Sequence, residues 1–92
     1  YIKGDVIGVG FRAWTKIQVK IIGVTGWVRN VNNHPDIFGV GGGVEAQIQG
    51  EEEKVKQIIE LIKKGSPVSH IKEVEVFWQE PKEVFDQFEI RK

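Results

Sequence analysis

The residues best suited to chemistry in this sequence are Gly8-Val9-Gly10-Phe11-Arg12. Two glycines one residue apart let the backbone curl with few steric limits, so that successive N–H groups can turn toward one oxyanion. A helix that starts here has first N–H groups without helical acceptors and a dipole that favours an anion. Arg12, in that first turn, adds a planar fork for a bidentate, charge-assisted grip on a phosphoryl group. The same five residues are also compatible with a plain tight turn followed by a solvated arginine, and taken alone they do not separate the two readings. No Gly-Lys-Ser/Thr follows, so this is not a Walker loop, and the dinucleotide fingerprint is incomplete. No nucleotide is implied.

The other polar residues carry less. His34 and His70 stand without cysteine and without ligand spacing, which predicts turn or surface histidines, no metal site and no cofactor. Glu45 and Glu75 fall at polar positions of alternating segments and are expected to be solvated or paired across strands, not a catalytic dyad. Trp14, Trp27 and Trp78 are expected in the core or on a sheet face; a stacking platform for bases is the weaker reading.

The loop needs a strand before it and a helix after it. Tyr1–Val6, with aromatic and β-branched residues, predicts that strand. From Phe11 to Ile22 two periodicities compete. Thr15, Ile17, Val19 and Ile21 alternate like a strand, while Phe11, Trp14, Ile17, Ile21 and Ile22 fit a helical stripe. Twelve residues exceed a typical strand, and Gly23 stands where a helix C-terminal glycine belongs, so the segment is predicted as helix.

Val24–Val31 predicts a second strand, followed by turn chemistry at Asn32–Asp36 and the glycines 39 and 41–43, a long hairpin loop. Val44–Gln49 alternates as a third strand. Glu51-Glu52-Glu53 opens a second helix with the stripe Val55, Ile58, Ile59 and Ile62 and the basic last turn Lys63-Lys64 before Gly65. Ile71–Trp78 is a fourth strand with Ile71, Val74, Val76 and Trp78 inward, and Phe85–Ile90 a short fifth. This order predicts an α+β, ferredoxin-like split βαβ fold: an antiparallel sheet with both helices on one face. A right-handed crossover makes strands one and two parallel, so the loops that follow them rise at the same edge of the sheet.

At 92 residues, 40% apolar and 28% charged, the chain is expected to form one domain, 1–92, around one core. Thirteen basic and thirteen acidic residues cancel, which removes the field that draws proteins to nucleic acid or anionic membranes. There is no cysteine, hence no disulfide and no thiolate chemistry. No apolar run approaches the roughly 18 to 20 residues of a membrane span, and no leader pattern is present. A cytoplasmic monomer without nucleic-acid or membrane partners is the expectation.

The ordered set GVGFR (8–12), GWVRN (26–30), VE (44–45) with a following QG (49–50), and FEIR (88–91) resembles the acylphosphatase family. The match spans nearly the whole chain and also favours helix over strand for Phe11–Ile22. The resemblance implies a hydrolase of small acyl phosphates. Backbone N–H groups of Ile7, Gly8, Val9, Gly10 and Phe11, with Arg12, would hold the phosphoryl group, and Asn30 would position the attacking water. No catalytic base is then required, because an acyl phosphate has a good leaving group and positioning plus charge stabilisation suffice.

Two features depart from the family pattern. Ile7 replaces the usual glutamine, and Val31–Gly43 replaces a short turn. The longer loop carries the apolar Ile37, Phe38 and Val40, which either pack on the sheet edge or form a partial lid over the phosphate loop. Two other functions share the fold: a non-catalytic binding module, and an acylphosphatase-like domain of a larger carbamoyl-phosphate-processing protein. RNA recognition is disfavoured by the neutral charge and the missing aromatic signature.

Overall fold

The computed structural model describes residues Tyr1–Lys92. Its elements run β1 (Ile2–Asp5), α1 (Phe11–Ile22), β2 (Thr25–Val31), α2 (Pro35–Phe38), β3 (Gly43–Gln49), α3 (Glu52–Lys64), β4 (His70–Val74) and β5 (Phe88–Arg91). The strands form one mixed sheet in the order β4-β1-β3-β2-β5. β3 lies antiparallel between β1 and β2, so those two run the same way, and β5 pairs parallel to β2. The fold is the expected α+β, ferredoxin-like arrangement, except that the sheet is mixed where an antiparallel one was expected, because the terminal strand β5 runs parallel to β2, and that one helical turn lies in the β2–β3 connection.

Why Phe11–Ile22 is helical shows in what it buries. Phe11, Thr15 and Val19, four residues apart, face the sheet, while Ile17 and Ile21 are 57% and 74% exposed. The buried stripe is therefore displaced from the expected one, which included both isoleucines. Thr15 tolerates burial because its hydroxyl donates to Phe11 O at 2.8 Å. Gly23, at φ 92°, ends the helix with its N–H on Val19 O at 2.8 Å, in the left-handed conformation that glycine adopts at low cost.

α3 buries Val55, Ile58 and Ile62 against the same face, and the core joins both helices to Ile2, Val28, Val44 and Phe88. Gly26 serves the close approach of β2 to β3: at φ 136°, a Cβ there would stand 1.8 Å from Gln47 O.

Three segments differ from expectation. β4 ends at Val74 instead of Trp78. Tyr1 and Glu75 still exchange two backbone hydrogen bonds of 2.9 Å, and the N–H groups of Val76 to Glu80 join no ladder. Val76 and Trp78, expected inward, are 39% and 59% exposed. β5 begins at Phe88, where pairing with Gly26 starts; before it, Gln49 accepts from Phe85 N–H at 2.9 Å and donates to Glu83 O at 2.7 Å, holding this stretch at the end of β3. The β2–β3 loop contains α2, started by Pro35 at the first helical position, where its missing N–H costs nothing. No helix is long and apolar enough to cross a membrane.

Candidate active site

Between β1 and α1, Gly8 and Gly10 have φ of 80° and 72°, and Val9 between them has negative φ. This alternation is the backbone geometry of an anion-binding nest, in which consecutive N–H groups point into one concavity. The N–H groups of Ile7, Gly8, Val9 and Gly10 donate to no protein acceptor, and the first helical bond of α1 is Trp14 N–H to Gly10 O at 3.0 Å. The loop is held from below: Phe11 is 1% exposed, its ring 5.5 Å from that of Trp14, and Val9 packs against the core. Phe11 thus contributes its backbone, while its side chain fixes where α1 begins. A Cβ at Gly8 or Gly10 would meet nothing within 4 Å, so positive φ, and not crowding, is what requires glycine there.

Arg12 projects from the first turn of α1 and donates from Nη1 to Arg91 O at 3.4 Å. Of the three arginines, Arg29 pairs with Glu45 and Arg91 with Glu89, whereas Arg12 has no carboxylate partner. Its charge is free for an anion. Arg91 stands level with Arg29 in the β2–β5 ladder, so the contact with Arg91 brings Arg12 to the end of the sheet where Asn30 lies.

Asn30 is in register with Val44 and follows two residues after Val28, both fully buried. Its side chain therefore faces the helix-bearing side of the sheet, the side of α1 and Arg12. Asn30 Oδ1 is buried and accepts no hydrogen bond from the protein. Such an atom is costly unless something polar meets it. Ile7 joins the cluster from the loop after β1, since a Cβ on Gly42 would stand 3.0 Å from Ile7 Cδ1, which sets the glycine run that ends β2's loop beside it. The sequence-derived site residues thus come to one end of the sheet. What sequence reasoning missed is the carbonyl of Arg91 as a strut for Arg12; a backbone acceptor leaves no mark on residue type.

The remaining polar residues lie elsewhere. Glu45 accepts from Arg29 Nε and Nη2 at 2.9 and 2.6 Å, and Glu75 takes Lys3 Nζ at 2.5 Å, which also raises the Lys3 pKa, chiefly through that hydrogen bond. Both glutamates are paired across strands. No three metal-ligating side chains come together. Trp27 carries the guanidinium groups of Arg29 and Arg91 over its ring at 5.2 and 5.0 Å, on the face without helices.

The Val31–Gly43 loop packs more than it covers. Phe38 is 9% exposed, meets the Tyr1 ring edge-on at 5.4 Å and lies where a side chain on Gly43 would be, on the face opposite Asn30. Val40, at the loop tip, is fully exposed. Phe38→Ala should lower stability by about 3 kcal/mol, whereas Val40→Ser should change it by less than about 0.5 kcal/mol. Urea unfolding of the two variants checks this contrast.

Comparison with known proteins agrees with the geometry. The sequence model of the acylphosphatase family matches residues 1–90. An acylphosphatase of Syntrophobacter fumaroxidans is 42% identical over 90 residues, covering 98% of this chain and 84% of its own. The crystal structure of acylphosphatase from Bacillus subtilis superposes with a TM-score of 0.86 at 28% identity, over 99% of this chain and 92% of that one. Full-length HypF, solved in a phosphate- and nucleotide-bound form, contains a similar unit: TM-score 0.81 and 29% identity over 99% of this chain, but 11% of HypF. This chain belongs to the acylphosphatase family.

Proposed function

We propose that the chain is an acylphosphatase that hydrolyses the carboxyl-phosphate bond of small acyl phosphates to a carboxylate and inorganic phosphate. The observation that carries this reading is the pairing of an uncommitted guanidinium with a buried, unpartnered amide oxygen beside a row of free N–H groups. The N–H groups of Ile7 to Phe11 and the Arg12 fork hold the phosphoryl oxygens and stabilise the charge that grows on them. Asn30 Oδ1 accepts a hydrogen bond from a water and aims its oxygen at phosphorus, opposite the acyl oxygen.

In the step itself the water oxygen forms a bond to phosphorus, the bond from phosphorus to the acyl oxygen breaks, and its electrons leave with the carboxylate. The water's proton passes to the departing carboxylate, so no His or Glu is needed. Every group in this scheme comes from one chain, which supports a monomeric enzyme, and a small soluble substrate fits a cytoplasmic setting. The likeness to a unit of HypF favours a second reading, a phosphate-binding unit that works within a longer protein.

A hydrolysis assay on benzoyl phosphate tests the proposal. Turnover should persist in excess chelator, with inorganic phosphate as a competitive inhibitor. Absence of turnover by the folded chain would favour the second reading, and a rate lost on chelation and restored by a divalent ion would overturn the metal-free mechanism.

A further inference from the structure

Arg12 is a long side chain, and its value as a clamp depends on where its fork waits. Holding an arginine in one rotamer costs entropy, so a fork that is set before the anion arrives binds it more tightly. The structure gives that fork one protein contact, Nη1 to Arg91 O at 3.4 Å. Where this carbonyl stands therefore decides where the fork rests.

The carbonyl belongs to a short edge strand. β5 has four residues and pairs with β2 alone, and its last pair in that ladder is Arg91 with Arg29. The end of such a strand opens readily unless side chains hold it. Arg91 has that hold on the face of the sheet without helices. Its guanidinium lies over the Trp27 ring at 5.0 Å and its Nε stands 3.5 Å from Glu89 Oε2. The ion pair is exposed, and a pair of that kind contributes little, which leaves the ring as the better anchor. Arg29 lies over the same ring at 5.2 Å and is itself held by Glu45. Trp27 is only 9% exposed although no helix covers its face.

We propose that Trp27 is a positioning residue for Arg12. Its ring holds the Arg91 guanidinium, the backbone of Arg91 stays level with Arg29, and the Arg91 carbonyl holds the Arg12 fork at the phosphate loop. Trp27 is three residues from Asn30 on β2, hence on the opposite face, and touches neither the phosphoryl group nor the attacking water. This role rests on the Arg12 clamp of the proposed hydrolase.

The test measures affinity for inorganic phosphate by calorimetry, and kcat/KM for benzoyl phosphate, in Trp27→Leu, Trp27→Phe and Arg91→Leu, each also combined with Arg12→Ala. Trp27→Leu alters no charge, and Arg91→Leu keeps the carbonyl while changing an exposed side chain. Both should weaken phosphate binding and lower kcat/KM about fivefold. Trp27→Phe keeps a ring under the cation and should stay within about twofold of the parent. Combined with Arg12→Ala, neither change should cost anything further, because the carbonyl has no fork left to hold. A purely structural Trp27 would lower Tm and leave phosphate affinity as it was, and that result overturns the proposal. So does a loss that persists undiminished beside Arg12→Ala, which would mark a long-range effect of charge or packing. If Trp27→Leu does not fold, Arg91→Leu and its double variant decide. Parental phosphate affinity in Arg12→Ala would remove the clamp and this role with it, whereas weak binding in Arg12→Ala beside full affinity in Arg91→Leu overturns the role alone.

Discussion

Arg12→Ala should lower kcat/KM for benzoyl phosphate by about 10³-fold while leaving the fold intact. The side chain makes one long hydrogen bond, to Arg91 O at 3.4 Å, and belongs to no core cluster, so stability depends little on it. Its charge, by contrast, has no carboxylate to neutralise it, and the proposed clamp uses that charge beside the free N–H groups to grip an anion. Affinity for inorganic phosphate should fall as well, because the product carries the same oxygens. Arg12→Lys should restore part of the phosphate affinity and little of the rate, since a point charge cannot span two oxygens and reaches Arg91 O with different geometry. Wild-type turnover in the Ala variant would remove Arg12 from the mechanism.

Asn30→Ala should lower kcat by about 10²-fold and leave phosphate inhibition essentially unaltered. An oxygen that orients water acts on the transition state and adds little to holding the phosphoryl group. Removing the amide also removes a buried polar atom that finds no protein partner, so the variant should be at least as stable as the parent. The pair of variants thus separates two roles: Arg12 affects binding and rate, Asn30 rate alone. Equal weakening of phosphate binding in both would contradict that division.

How much of this was legible in the sequence depends on how local each cause is. The backbone of the loop after β1 was, because positive φ at Gly8 and Gly10 and a helix opening at Phe11 are demands that residue type expresses directly. The end of α1 at Gly23 was legible for the same reason. The parallel run of β1 and β2 followed from the alternation of elements and placed the loops after them at one edge, where a side chain on Gly42 would reach Ile7.

Less legible were features that depend on what stands across space. Ile17 and Ile21 look like core residues until Phe11 and Thr15 fix which side of α1 meets the sheet. β4 reads as a strand to Trp78, yet its ladder with β1 runs only over His70–Val74. The loop after β2 leaves packing and a lid both open for Phe38, and what decides for packing is Tyr1, 37 residues away in sequence. Asn30 reads as one more polar strand residue; its place on the helix side with its oxygen unpartnered follows from the register, and its proposed role rests on the resemblance.

The most direct measurement is a titration of the ¹⁵N-labelled chain with inorganic phosphate, followed through its backbone amide resonances. The account predicts that the largest saturable shifts fall on the amides of Ile7 to Arg12, with a dissociation constant equal to the inhibition constant for phosphate in the hydrolysis assay. Saturable shifts centred elsewhere, or none in this loop at phosphate concentrations that inhibit turnover, would contradict it.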